Sequence, residues 1–189
     1  MHMNMRRGFC LFVSPFLFVL LAGRLAHAAD STRPGTYIEG SPLGAGSISV
    51  GCVNTNLGCI GGGEAGAYRI SAEFGHHLTQ RHDGLVIGAR QVFLFASKSA
   101  GMTEVRAGWD FAIPIKQYEV TVAPYAAAGA AYGFSGGNAS FALGFGAEGK
   151  FFFLEKLYAF AIPIELGTWI RSGFSGIVYQ LGAGIGYAF

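Results

Sequence analysis

The chain closes on YQLGAGIGYAF, residues 179–189, in which large apolar side chains alternate with small ones. No charge follows Arg171, and the final residue is Phe189. A period of two is the signature of a β-strand, whose successive side chains point to opposite faces. Extended backwards, the pattern sets Ile177, Tyr179, Leu181, Ala183, Ile185, Tyr187 and Phe189 on one face, and Gly176, Val178, Gln180, Gly182, Gly184, Gly186 and Ala188 on the other.

The same two faces recur upstream. Tyr118, Val120, Val122, Tyr132 and Phe134 lie opposite Glu119, Thr121, Gly129 and Gly133, and Phe141, Leu143, Phe145, Phe151 and Phe153 oppose Ser140, Gly144, Gly146, Glu148 and Lys150. Val105, Trp109, Phe111 and Ile113 oppose Glu104, Arg106, Gly108 and Asp110; Tyr68, Ile70 and Phe74 oppose Arg69, Ser71, Glu73 and His77. One unbroken phase through residues 158–167 sets Tyr158, Phe160, Ile162, Ile164 and Leu166 against Ala159, Ala161, Glu165 and Gly167. Bulky groups thus share one side, while glycine, alanine and charge share the other. A water-soluble sandwich hides its large residues and displays polar ones. The reverse arrangement is that of a transmembrane β-barrel, with large side chains towards lipid and small or charged ones in a confined interior. Lipid tolerates no unpaired sheet edge, so the strands have to close on themselves.

A transmembrane helix is the competing explanation for the uncharged stretches 120–147 and 172–189. It fails on content, because the first holds Pro124 and the turn-like SGGN and both lack sustained leucine and isoleucine. The pattern predicts about eight strands, an all-β, closed, antiparallel up-and-down transmembrane barrel: residues 44–53, 65–79, 84–97, 101–115, 117–134, 138–153, 156–171 and 174–189. In the third, Gln91 faces lipid unless a bulge resets the phase between Ala89 and Val92. Pro114, Pro124 and Pro163 are expected at strand ends or bulges, since a closed barrel offers no free edge. The first and last of these fall in a repeated FAIPI, residues 111–115 and 160–164.

Residues 1–28 read as a secretory signal, with Arg6 and Arg7 at its start, an apolar stretch from Phe9 to Ala22, and Ala26-His27-Ala28 as the cleavage site. A retained anchor is the alternative, disfavoured by the short apolar run and by Arg24. Residues 29–43 read as an irregular periplasmic lead-in, and the barrel as 44–189. Removing Arg6, Arg7 and Arg24 takes the 13 basic residues to 10, against 11 acidic ones. A near-neutral mature chain argues against nucleic acid as partner, since phosphate binding needs a clustered basic excess. Cys52 and Cys59 sit in an exported chain, where oxidation to a disulfide is expected. Two thiolates alone make poor zinc ligands.

Residues 144–150, GFGAEGK, match a glycine-rich dinucleotide pattern and part of a phosphate loop, but Phe151 stands where a magnesium-reaching Ser or Thr belongs. The strand pattern accounts for every residue, so no cofactor is expected. His76 and His77 point to opposite faces and with His82 flank one turn, so neither metal nor catalysis is expected from them. The inward charges are the most informative set: Arg69, Glu73, Arg90, Glu104, Arg106, Asp110, Glu119, Glu148, Lys150 and Glu165. An eight-stranded interior is only wide enough to be filled by side chains, and unpaired charge there is costly. Mutual pairing into a structural plug is the expectation, with a narrow pore and a proton or ligand path as alternatives.

With its C-terminal YQLGAGIGYAF and the central VAPYAAAGAAYGF of residues 122–134, the sequence resembles the small eight-stranded outer-membrane β-barrel proteins of Gram-negative bacteria, the outer-membrane protein A-like group. The resemblance covers roughly residues 44–189. It implies a bacterial outer-membrane location amid lipid and lipopolysaccharide. It also implies recognition by the barrel-assembly machinery through the terminal Phe189 and Tyr187, and a monomer. Relatives that modify lipid A place a histidine with a serine and an acid on the outer-leaflet side, a pattern this chain lacks. A non-enzymatic structural or surface-interaction role is therefore expected, with a small pore or a lipid A-modifying enzyme as alternatives.

Overall fold

The computed structural model describes residues 35–55, 58–60, 63–78, 84–96, 99–115, 118–133, 139–171 and 174–189, without the side chains of 47–65 and 171–175. The expected signal and its cleavage site lie outside the described residues. Among them run nine strands: β1 (Thr36–Thr55), β2 (Gly58–Ile60), β3 (Gly63–His77), β4 (Gly84–Phe95), β5 (Ala100–Ile115), β6 (Tyr118–Gly133), β7 (Ser140–Phe152), β8 (Leu157–Arg171) and β9 (Phe174–Ala188). The eight long strands pair antiparallel with their neighbours in chain order, and β9 pairs with β1 to close the barrel. The short β2 folds back only on the tip of β1.

Following paired residues once round the barrel from Tyr37 leads through Gly75, Gly88, Arg106, Ala127, Gly144, Gly167 and Val178 to Ile48, that is 48 − 37 = 11 residues further along β1. Such a stagger goes with strands tilted about 35–45° to the axis and an interior just wide enough for side chains. Thr36 and Ala188 share one end, here the terminal rim; the β4–β5 and β6–β7 connections lie at the far rim.

The structure departs from the sequence expectations in three places, residues 36–43, the phase of β8 and Pro124, and decides a fourth that the sequence left open, the phase of β4. Residues 36–43, expected as an irregular lead-in, belong to β1, which pairs with β3 and β9 from Thr36 onward. Its register shifts between Ser41 and Ala45; there Tyr68 donates from its hydroxyl to the Pro42 carbonyl and Ser41 donates to the carbonyls of Leu43 and Ala183. β4 needs no bulge: its registers run unshifted, and Gln91 does face outward. In β8, Tyr158, Phe160 and Ile162 point inward and are buried, against the single phase expected. A register shift between Ile162 and Glu165 resets the phase, so Ile164 faces out and Glu165 in.

That shift contains Pro163, one of the places expected for a strand proline. Pro114 lies near the end of β5, past Asp110, the last residue paired with β4. Pro124 differs from expectation: it sits inside β6, paired with Ala147, and the β5–β6 register is the same at Gly108↔Tyr125 and Phe111↔Val122.

Candidate functional site

Two surfaces carry whatever this molecule does, the outer wall and the interior. The outer wall is apolar along β3 to β9, with Phe145 63% exposed, Ile185 62% and Leu181 52%. Aromatic side chains gather at its two edges: Trp109, Phe111, Tyr118, Phe151, Tyr187 and Phe189 towards the terminal rim, and Tyr68, Phe95, Tyr132 and Phe141 towards the far rim. Tyr187 and Phe189 meet edge-on with ring centres 5.3 Å apart. An apolar band between aromatic girdles is the outside of a lipid-spanning barrel. A polar group interrupts it on β4, β5 and β6. Gln91 donates to the Tyr132 hydroxyl at 2.8 Å and accepts from Thr103 at 2.6 Å, with the two hydroxyls 3.4 Å apart. The three outward polar side chains of β4, β5 and β6 thus satisfy one another.

Inside, charge occupies the middle. Arg90 reaches Glu165 through two hydrogen bonds of 2.7 Å and Glu104 at 2.7 and 3.1 Å. Tyr125 donates to Glu165 at 2.6 Å, and its ring carries the Arg106 guanidinium 3.8 Å from its centre. Arg106 binds Glu73 at 2.9 Å and Glu148 at 2.7 Å, while Tyr37 donates to Glu73 at 2.6 Å. Lys150 stands 3.1 Å from Asp110, which also meets His77 at 3.0 Å, and 3.5 Å from Glu39, which accepts from Tyr158 at 2.6 Å. Arg69, fully buried, donates through Nε to Gln180 at 2.8 Å, and Gln180 donates to Glu165 at 3.3 Å. Charge-assisted bonds of this kind are about twice as strong as neutral ones, and each partner left alone would be expensive.

Apolar clusters stand on either side of this layer. Val86, Phe152, Phe160, Ile162 and Ala188 pack with the rings of Tyr37, Tyr125 and Tyr158 towards the terminal rim. Ala67, Val92, Leu94, Met102, Ala131, Ala142 and Val178 fill the far end, where Trp169 donates to the Met102 sulfur at 3.1 Å.

Of the ten inward charges read from the sequence, nine are buried in this layer, and Glu119 stands half-buried near the terminal rim opposite Pro114. Sequence reasoning missed Glu39, Tyr37, Tyr125, Tyr158 and Gln180 as members. Glu39 and Tyr37 fell in the supposed lead-in, and Tyr158 on the wrong side of the Pro163 bulge. His76 and His77 do point oppositely, His76 pairing with the Thr36 hydroxyl at 3.0 Å; His82 lies outside the described residues. GFGAEGK is extended strand within β7. The backbone sets Cys59 opposite Asn54, but neither cysteine side chain is among those described.

A closed barrel of eight antiparallel strands, apolar outside and charged within, is a transmembrane β-barrel. No protein-family model matches the sequence, and no curated protein does. Among solved structures, Neisserial surface protein A is 15% identical over 82% of this chain and 97% of its own, with a TM-score of 0.48. Ail, the attachment invasion locus protein of Yersinia pestis, is 13% identical over 81% of this chain and 99% of its own, with a TM-score of 0.41.

Proposed function

We propose that the chain is an integral outer-membrane protein with a structural or surface-interaction role, that its lumen is a plug and not a conduit, and that it has no enzymatic activity. One observation carries this reading: the buried charges form a linked set in the middle of the barrel, with apolar side chains packed at both ends. A conducting pore needs a wetted path, and a lipid-modifying enzyme needs a nucleophile and base open to the outer leaflet. In this reading residues 1–28 direct export, the terminal rim faces the periplasm, and the surroundings are outer-membrane lipid and lipopolysaccharide. The barrel-assembly machinery reads Tyr187 and Phe189, and the folded product is a monomer. A Cys52–Cys59 disulfide would restrain the outer tip of β1 and β2.

Surface interaction has a specific place to happen. β4 pairs with β3 only as far as Phe95↔Tyr68, and among the described residues no strand pairs with the backbone of residues 63–67 on that side. Free backbone donors and acceptors at a sheet edge accept an added strand. The test has two arms on the purified barrel and on cells. Reconstituted protein should give no conductance steps, and lipid A should keep the same acyl composition in cells with and without the protein. Steps abolished by altering Arg106 or Glu148 would replace the plug with a pore; an altered acyl pattern would replace it with an enzyme.

A further inference from the structure

Four carboxylates crowd the terminal half of the lumen, Glu39, Glu73, Asp110 and Glu148, and all four are buried. Two permanent cations answer them. Arg106 is taken up by Glu73 and Glu148. Lys150 is held differently: its Nζ lies 3.1 Å from Asp110, 3.5 Å from Glu39 and 3.7 Å from Glu148, and 4.7 and 5.8 Å from the ring centres of Tyr37 and Tyr158.

Three carboxylates and two aromatic faces around a single point make a receptor for an ammonium group, whose three N–H donors suit three acceptors and whose charge suits the rings. The cage does not depend on the side chain that fills it. Its walls come from β1, β5, β7 and β8, and Glu39 is held in place by the Tyr158 hydroxyl. It also has acceptor capacity to spare, because Asp110 Oδ1, the oxygen turned away from Lys150, is buried and accepts no hydrogen bond.

We propose that the terminal half of the lumen is a binding site for a small primary ammonium cation, which the chain occupies with its own Lys150. The inference rests on the plugged-lumen reading and adds what does the plugging. Without Lys150, Arg106 would be the one permanent cation ion-paired to these four carboxylates among the described residues. An alkylammonium ion admitted to the cage would then restore the lost contacts.

The experiment uses the mature barrel folded in detergent micelles, with unfolding followed by heat-dependent gel migration at constant ionic strength. Wild-type protein should show the same midpoint with or without methylammonium. Lys150→Ala should unfold at a lower temperature, and its midpoint should climb with the logarithm of methylammonium concentration, as a ligand that binds only the folded state requires. Adding Glu39→Gln to Lys150→Ala should weaken that recovery severalfold. If Lys150→Ala does not fold unaided, refolding yield with and without methylammonium is the readout. Lys150→Met, which keeps bulk without the charge, should lose stability as well. The proposal is overturned if methylammonium rescues neither midpoint nor yield, if sodium or tetramethylammonium rescues equally, or if Lys150→Met matches wild type. Conductance steps from wild-type protein would sink the plug itself, whatever the amine does.

Discussion

Arg90 meets two carboxylates at once, and neither Glu104 nor Glu165 is near water. Arg90→Leu should therefore cost about 3–5 kcal/mol, the range for breaking a buried ion pair from one side. Arg90→Leu with Glu165→Leu should lose less than the sum of the two single changes, a coupling that denaturant unfolding of all three variants would read. On the wall, Leu181→Arg should cost about 2–4 kcal/mol if that position lies near mid-bilayer, whereas Leu181→Phe should leave the midpoint near wild type. Tyr132→Phe strips Gln91 of an acceptor on the lipid face and should cost roughly 1–3 kcal/mol. Gln91→Leu should be milder than Tyr132→Phe, because the Thr103 and Tyr132 hydroxyls remain within reach of each other. Which residues are charged and inward was legible from alternation alone. Which charge meets which was not, because Arg90 and Glu165 are brought together across the barrel by closure and stagger.

At the scale of the strand, the glycines opposite the bulky face have a specific use. Tyr37 lies directly across from Gly75 and Tyr158 across from Gly186, and each ring folds over its glycine. An added methyl at Gly75 or Gly186 would fall 2.2 Å from a ring atom. Gly186→Ala should therefore displace Tyr158 from Glu39 and cost about 1–3 kcal/mol, as overpacking does. Gly66→Ala meets nothing within 4 Å and should leave the unfolding midpoint unchanged or slightly raised. Thermal unfolding of the two variants side by side decides the matter. Period two made these strands legible, but it carries no record of where the phase slips. Residues 158–162 were misassigned because the β8 bulge inverts the faces without altering composition. Residues 36–43 were missed because Gly40, Pro42 and Gly44 around the β1 irregularity look like loop.

For the molecule as a whole, closure and orientation are two separate matters. Closure followed from the outward apolar face, since lipid tolerates no unpaired sheet edge, and the β1–β9 pairing supplies it. Orientation decides whether the charged side is an interior or a surface, and every functional statement above depends on it. Strands of 12 to 16 residues among β3 to β9 exceed the roughly 9–11 needed to cross a bilayer, so the barrel is taller than the lipid it would span. The most direct test labels β9 with a nitroxide at one position after another from Gly176 to Phe189, in a background with Cys52 and Cys59 replaced by serine and the barrel in lipid bilayers. Collision with dissolved oxygen should be high at Ile177, Tyr179, Leu181, Ala183, Ile185 and Tyr187 and low at the positions between them. A flat profile, or the opposite alternation, would contradict the account.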